Sequence, residues 1–207
     1  MQYSQADYAN EELDYYDEHD ERIGTASDRI VHEQGYINRH VAFYIINTHN
    51  QLLLQLRASD RRLNPNQWDK LGGHVSTGED YSPRELREEI LKGIDGVTIK
   101  IVPKTLFYKE CANTDTTQTI VLTELAYDRN IPAKRTLRDG TTTIEQIHCK
   151  SYVGRYDGPI NHEVEETQQL RWMTLEELKK NIKAHPEQFT FDLKTMITRK
   201  EKEIFNF

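Results

Sequence analysis

The sequence predicts an α+β fold in a single main domain, and three observations indicate this class. Two apolar, β-rich runs, Val41–Ile46 and Leu52–Leu56, flank a turn cluster and are typical of a hairpin at the core. Two S/T-x-x-E patterns, at Ser82 and Thr174, are typical of helix starts. The strands and helices do not alternate strictly, which favours α+β over a doubly wound parallel sheet.

Composition limits the class of protein further. The chain has 207 residues, 36% of them hydrophobic, and its formal charge is −7. No apolar run approaches the length of a membrane span, and the N-terminus lacks the basic and apolar regions of a secretory signal. Two cysteines are too few for a disulfide scaffold or a cysteine-rich zinc site. We therefore expect a cytoplasmic protein with no membrane partner.

The negative charge is confined to the N-terminal segment. Residues 1–22 hold eight acids and one base, and the rest of the chain is balanced. A balanced body is not the basic surface that a nucleic-acid polymer requires, so we expect no such partner. We expect residues 1–12 to form a disordered acidic tail, the acids of residues 1–22 to serve solubility, and residues 13–207 to form one domain.

The other elements follow along the chain. We expect a short strand, a turn, and a short helix or coil before the hairpin, and an extended piece ending in Gly72-Gly73 after it. Ser82 and Glu85 form a capping box, and Pro83 occupies the first helical position, so a helix is predicted from Pro83 to about Lys92. The expected early elements are Leu13–Glu18 (strand), Arg22–Gly24 (turn) and Ala26–Glu33 (helix or coil), and the later strands are Val97–Val102, Thr105–Glu110, Thr119–Tyr127 and Thr142–Tyr156.

Two features complete the chain. Helices are predicted after Thr174 and over Thr190–Phe205. An insertion at about 111–140 contains the basic, turn-rich segment Asp128–Gly140, with Lys134, Arg135 and Arg138. We interpret the whole insertion, Cys111–Gly140, as a solvated basic loop, and a lid, an oligomer arm or a substrate-selecting hairpin remain alternatives.

One helix face concentrates acidic side chains. Helical spacing places Glu85, Glu88 and Glu89 on a common face, directly after a glycine-rich loop. Three carboxylates repel one another unless a cation lies between them, and oxygen ligands suit Mg²⁺ or Mn²⁺. Taken alone, such glutamates are more often a solvated face, with arginines such as Arg84 and Arg87 pairing with them. The glycine pair, Glu79 and the capped helix favour the metal site.

At these residues the sequence resembles the Nudix hydrolase family. The family signature is G-x5-E-x7-R-E-U-x-E-E-x-G-U, with U a bulky apolar residue. Gly73 and Glu79 match its first part, and Arg84-Glu85-Leu86-Arg87-Glu88-Glu89 matches R-E-U-x-E-E. Only four residues separate Glu79 from Arg84, where the signature has seven, and two extra residues precede Gly93. The segment Leu13–His40, called the leader below, resembles the corresponding segment of the isopentenyl-diphosphate-isomerase-like branch of the family.

The resemblance implies an α/β/α sandwich with a mixed sheet and a central loop–helix motif. It implies that the carbonyl of Gly72 and the carboxylates of Glu85, Glu88 and Glu89 bind the metal. It further implies candidate catalytic roles for Glu88 and Glu89, for Arg84 in orienting a glutamate, and for an acid from a late loop. Glu166 is the candidate for that acid, with Glu163 and Glu165 as neighbours.

The implied reaction is attack of water on the diphosphate of a small-molecule substrate, with Mg²⁺ or Mn²⁺ as cofactor. Arg57 and Lys70 are candidates to meet a phosphate. Trp68 is a candidate to stack on a base, although core packing is the commoner role of such a residue.

Two other functions remain open. The isomerase of this branch uses a cysteine near the position of Gly72-Gly73, and this chain has none there, so isomerisation is the weaker enzyme hypothesis. The shortened loop also leaves open a protein that binds a ligand without hydrolysing it. Substrate identity is not fixed by the sequence, and neither is oligomeric state, for which a homodimer remains open.

Overall fold

The computed structural model describes residues 11–91, 94, 96–161 and 167–206. The expected tail is therefore outside the described residues except for Glu11 and Glu12. One mixed sheet dominates this part of the chain, with a central path in the order β10-β4-β3-β9-β8-β7. The strands are β1 (Glu12–Tyr16), β2 (Arg22–Ser27), β3 (Ile37–Ile46), β4 (Gln51–Arg57), β5 (Trp68–Asp69), β6 (Leu71–His74), β7 (Thr98–Ile101), β8 (Thr119–Thr136), β9 (Thr142–Arg155) and β10 (Thr167–Thr174).

Five α-helices lie among the described residues. They are α1 (Asp28–Gln34), α2 (Pro83–Leu91), α3 (Phe107–Asn113), α4 (Leu175–Ala184) and α5 (Phe191–Phe205). Thr174 caps α4 through the predicted capping box. Ser82 caps α2 by accepting a hydrogen bond from the Glu85 amide, but the Glu85 carboxylate accepts from Ser76 instead of completing the box. None of these helices is long and apolar enough to cross a membrane.

Strand β3 divides the core into two layers, because successive side chains of a strand point to opposite faces. Ala42, Tyr44 and Ile46 pack with α4 and α5 on one face. Val41, Phe43 and Ile45 pack on the other face with Leu86 and Ile90 of α2. The sheet is therefore covered by helices on both sides, and the predicted α/β/α sandwich is confirmed.

The region interpreted as an insertion is mostly regular sheet. β8 and β9 pair antiparallel from Val121↔Arg155 to Thr136↔Thr142, and the bulges at Glu124/Ala126 and Asp128/Ile131 bend this long hairpin. The interpretation of Asp128–Gly140 as a solvated loop is wrong for Arg135, whose side chain is buried against two carboxylates. The hairpin therefore packs against the domain and contributes the buried charged side chains of Arg135 and Glu145.

Two local predictions are wrong for physical reasons. Arg22–Gly24 lies in β2 and not in a turn, because Gly24 leaves space for the Tyr15 ring across the ladder. Thr105–Glu110 is helical and not extended, since only Phe107 of this segment is buried and no alternating face exists.

The acidic leader is attached to the domain by buried ion pairs. Asp20 accepts a hydrogen bond of 2.8 Å from Arg39 Nε and another from the hydroxyl of Tyr127. The Arg39 guanidinium lies 4.1 Å from the centre of the Tyr16 ring. Asp14 is also buried. The expectation that the leader acids serve solubility is thus wrong for Asp14 and Asp20.

These contacts predict how stability depends on pH. Burial raises the pKa of Asp20, but the hydrogen bonds from Arg39 and Tyr127 outweigh it, so the pKa lies below its ordinary value. A carboxyl with a lower pKa in the folded state contributes stability above its unfolded pKa and loses it as pH falls. Asp20→Asn should cost about 1–3 kcal/mol at pH 7.

Chemical denaturation at several pH values tests this expectation. The free energy of unfolding of the variant should fall less steeply than that of the wild type between about pH 5 and pH 3. Asn also tolerates the positive φ of 71° at residue 20, so backbone strain does not confound the comparison. Equal slopes in the two proteins would contradict the assignment.

Candidate functional site

The site is organised around two glycines of β6. Gly72 has a φ of 130°, and a Cβ there would lie 2.1 Å from the carbonyl oxygen of Val41. A Cβ on Gly73 would lie 2.3 Å from Oε2 of Glu89. Gly73 therefore allows the Glu89 carboxylate to approach the strand backbone more closely than any other residue type would, and Gly72 allows the close contact between β6 and β3.

Helix α2 presents two buried glutamates beside this strand. Oε1 of Glu85 accepts hydrogen bonds from the Ser76 amide at 2.8 Å and from the Ser76 hydroxyl at 3.0 Å. Its other oxygen, Oε2, is buried and has no hydrogen-bond partner in the described structure. Glu89 is buried as well and lies against Gly73. An unsatisfied buried carboxylate oxygen is costly, and a cation would satisfy it.

The third helix glutamate lies differently. The side chain of Glu88 is 54% exposed, and its Oε1 is 3.8 Å from Arg84. Arg84 also bonds to Glu79 at the end of the glycine-rich loop. The structure therefore groups Glu79, Arg84 and Glu88 on the outer side of the helix, while Glu85 and Glu89 face inward.

A polar cavity of about 90 Å³ lies next to the glycine pair. The predicted residues Gly72, Glu89, Arg57 and Lys70 all line it. Arg57 donates from Nε and Nη2 to the carbonyl of Leu63. Among the predicted substrate-binding residues, Trp68 differs, since its side chain packs against the core beneath α4 and α5.

A second group of candidate ligands includes two histidines, of which His74 lines this cavity. Asp28, His32 and His74 place one ligand atom each within 4.8 Å of one another. The Nε2 atoms of His32 and His74 are 3.1 Å apart, and His32 Nε2 is 3.0 Å from Oδ1 of Asp28. Nitrogen ligands with one carboxylate are the donor set that transition-metal ions such as Zn²⁺ prefer.

A buried ionic network supports this group. Glu145 accepts a hydrogen bond of 2.6 Å from His32 Nδ1 and another of 2.7 Å from Arg135 Nε. Arg135 also bonds to Asp192 of α5. The network joins α1, the β8–β9 hairpin and α5 through hydrogen-bonded ion pairs, although Oδ1 of Asp192 has no hydrogen-bond partner in the described structure.

The pKa values of three neighbouring histidines, His32, His40 and His74, are shifted in different directions. Burial and, to a smaller extent, the neighbouring His32 together lower the pKa of His74 to about 3. Burial also holds the pKa of His40 well below its ordinary value. For His32, burial lowers the pKa, but hydrogen bonds to Asp28 and Glu145 raise it above its ordinary value overall. The two carboxylates thus favour the protonated form of His32, and a metal ion bound there would compete with that proton.

Sequence analysis missed several of these residues. Asp28 and His32 are spaced i,i+4 on a helix, so their common face was detectable. Nothing in the sequence connects them with His74, Arg135, Glu145 or Asp192, because those contacts arise from the topology of the sheet. The candidate acid Glu166, with Glu163 and Glu165, lies outside the described residues.

Together the fold and the site define an α+β protein in which a glycine-rich strand feeds a glutamate-bearing helix beside a charged cavity. A family model of the NUDIX domain matches residues 37–193, so the chain belongs to the Nudix family. The identification made from the helix motif is confirmed.

Curated relatives carry two kinds of name. Isopentenyl-diphosphate Delta-isomerase 2 of Aromatoleum aromaticum is 24% identical over 88% of this chain and 82% of its own length. Nudix hydrolase 3 of Arabidopsis thaliana is 36% identical over 52% of this chain but only 14% of its own length. The relatives named as isomerases thus match over more of the chain, at lower identity.

Solved structures share the fold. A crystal structure of a Deinococcus radiodurans protein superposes with a TM-score of 0.65 at 21% identity, covering 91% of this chain and 98% of that one. A bifunctional NMN adenylyltransferase/ADP ribose pyrophosphatase from Francisella tularensis, complexed with AMP and a Mn ion, gives a TM-score of 0.50 at 14% identity. That match covers 81% of this chain and 42% of the other.

The close approach at β6 is testable by adding one methyl group. Gly73→Ala should displace the Glu89 carboxylate and cost about 1–3 kcal/mol of stability through overpacking. Gly140→Ala is the matched control, because Gly140 has a φ of 86° but open space around its Cβ position. The control should lose stability through backbone strain alone.

Thermal unfolding and a Mn²⁺ titration of both variants separate these effects. Gly73→Ala should weaken Mn²⁺ binding as well as stability, whereas Gly140→Ala should alter stability only. Unchanged Mn²⁺ affinity in Gly73→Ala would argue against a cation between β6 and α2.

Proposed function

We propose that the protein is a Mg²⁺- or Mn²⁺-dependent hydrolase that cleaves the diphosphate linkage of a small molecule, such as a nucleoside diphosphate derivative. The observation that carries this proposal is the unpartnered, buried Oε2 of Glu85, with Glu89 packed beside it against Gly73. Membership of the Nudix family supports it, and so do the basic side chains of Arg57 and Lys70 that line the adjacent cavity.

The donor set fits a hard divalent ion. Glu85 and Glu89 offer buried carboxylate oxygens, and Gly72 adds a backbone carbonyl from the same strand end. These all-oxygen ligands are those that Mg²⁺ and Mn²⁺ prefer. Glu88 lies on the exposed side of the helix, where its part is to hold Arg84 or to ligate an ion that arrives with the substrate.

The protein side chains have separate tasks in this mechanism. A divalent ion, when bound, neutralises phosphate charge and lowers the pKa of the attacking water. Glu89 lines the cavity, and we assign to its carboxylate the proton released by that water. Lys70 and Arg57 line the same cavity and hold the phosphates. Glu166 is the alternative proton acceptor.

Turnover of nucleoside diphosphate derivatives tests the proposal. The wild type should release product only with Mg²⁺ or Mn²⁺, and Glu85→Gln and Glu89→Gln should each lower kcat by about 100-fold, since each removes charge from the ion's ligands. Glu88→Gln should also impair turnover. Glu176→Gln, on the exposed first turn of α4, is the matched control and should be as active as the wild type.

The same assay separates the competing functions. Isopentenyl diphosphate is included because of the isomerase-named relatives. Its isomerisation by the wild type would replace the hydrolase proposal. Tight binding of a nucleoside diphosphate derivative without any product would show a binding protein instead.

The two groups of candidate ligands should differ in metal preference. Nitrogen ligands favour Zn²⁺, whereas carboxylates favour Mg²⁺. His74→Ala should therefore remove Zn²⁺ binding, and Glu85→Gln should retain it while losing Mg²⁺ binding. Calorimetric titration of the chelator-treated proteins measures both. Retention of Zn²⁺ binding in His74→Ala would exclude the Asp28–His32–His74 group as its site.

A further inference from the structure

The acidic leader contacts the loop that precedes helix α2. Asp14 of β1 is 4% exposed, although it belongs to the most acidic part of the chain. Its Oδ2 accepts a hydrogen bond of 2.8 Å from the amide of Gly78. Its Oδ1 lies 2.7 Å from the Thr25 hydroxyl and 2.8 Å from Arg22 Nε. One carboxylate thus ties the loop to β1 and β2.

A second hydrogen bond, donated by a loop residue, also joins this loop to β1. The exposed Thr77 donates its hydroxyl hydrogen bond to the carbonyl of Glu12 in β1. Two consecutive loop residues, Thr77 and Gly78, are therefore held by the same leader strand. This pairing fixes both the position of the loop and its orientation.

The anchored residues are next to the residue that orients Glu85. Ser76 directly precedes Thr77, and both its amide and its hydroxyl bind Oε1 of Glu85. Those two hydrogen bonds leave Oε2 of Glu85 without a partner in the described structure. A shift of the loop at Gly78 would therefore reach Glu85 through two residues of backbone.

The loop is short for its family, with four residues between Glu79 and Arg84. Within it, Glu79 donates its amide hydrogen bond to the carbonyl of Ser76, closing a turn around Gly78, which has a φ of 74°. The loop also contains a hydrogen bond from the Ser82 amide to the Asp80 carbonyl. The leader adds support from outside the loop, through Asp14 and the carbonyl of Glu12.

We propose that Asp14 is a positioning residue that anchors the loop over residues 75–82 and so holds Glu85 in the orientation that binds a divalent cation. The proposal rests on the proposed function, because it assigns the metal site to Glu85. Asp14 acts only through Gly78 and Ser76.

Mn²⁺ binding and hydrogen exchange test this role in the full-length protein. Asp14→Ala should raise the dissociation constant for Mn²⁺ about tenfold, which is typical for the loss of a residue that orients a metal ligand. It should also accelerate amide exchange in the peptide covering residues 75–82. Asp14→Asn keeps an acceptor oxygen and should restore most of the affinity. Thr77→Ala, at an exposed position, should act in the same direction with a smaller effect.

Asp17→Ala is the matched control. Asp17 is in the same leader and also accepts backbone hydrogen bonds, from His19 and Glu21, but these lie within its own turn. The Asp17→Ala variant should bind Mn²⁺ like the wild type, and its amide exchange in residues 75–82 should be unchanged. A general loss of leader structure would instead affect both alanine variants.

The results that would contradict the positioning role differ from those that would contradict the proposed function. Equal Mn²⁺ affinities in Asp14→Ala and Asp17→Ala, with a wild type that binds Mn²⁺, would overturn the positioning role alone. A wild type that binds no Mn²⁺ would overturn the proposed function, and unchanged exchange in Asp14→Ala and Thr77→Ala would then overturn the anchor as well. If Asp14→Ala does not fold, Thr77→Ala and Asp14→Asn decide the matter through the same two measurements.

Discussion

The site depends on the distance between helix α2 and the glycine pair of β6. Where Gly73 meets Glu89, even a methyl group would overlap the carboxylate, and at Gly72 it would overlap the carbonyl of Val41. This approach brings the buried carboxylates of a helix to the backbone of a central strand, where one ion can take ligands from both. It also leaves no space for a reactive side chain at either position, so the same contact that would form the proposed cation site excludes a cysteine from it.

Around this contact the protein separates two kinds of buried charge. One carboxylate oxygen of Glu85, Oε2, is buried without a hydrogen-bond partner in the described structure. The carboxylates of Asp28, Glu145 and Asp192 are each matched with His32 or Arg135. Buried charge that is already paired is stable without a ligand, whereas buried charge that is left unpaired favours one. The paired carboxylates therefore belong to the structural framework around the cavity, whereas Glu85 is the carboxylate to which we assign cation binding.

Local patterns were sufficient for the parts of the fold that bury one continuous face. The β3 and β4 strands, the capped helix α2 and the final helices all follow from periodicity and end signals. Patterns were insufficient where a segment is shaped by a distant partner. Arg135 has the sequence environment of a loop, yet its partners Glu145 and Asp192 bury it. Likewise Asp14 belongs to an acidic run, and only its contact with Gly78 shows that it is structural.

The burial of Arg135 and Glu145 has a consequence for the register of the β8–β9 hairpin. Near its tip the usual polarity is inverted, since Ile144 is 75% exposed and the adjacent Glu145 is 2% exposed. Ala133, Ile147 and Cys149 share the buried face with Arg135 and Glu145, so apolar burial favours the same register, and a slip of one residue would reverse every side chain of a strand. Such a slip would exchange Arg135 for Lys134 and turn Glu145 toward solvent. In this hairpin ion pairing therefore acts together with apolar burial to fix the alignment of the two strands, and Arg135, which lines the cavity, also helps to set the pairing of the longest strands.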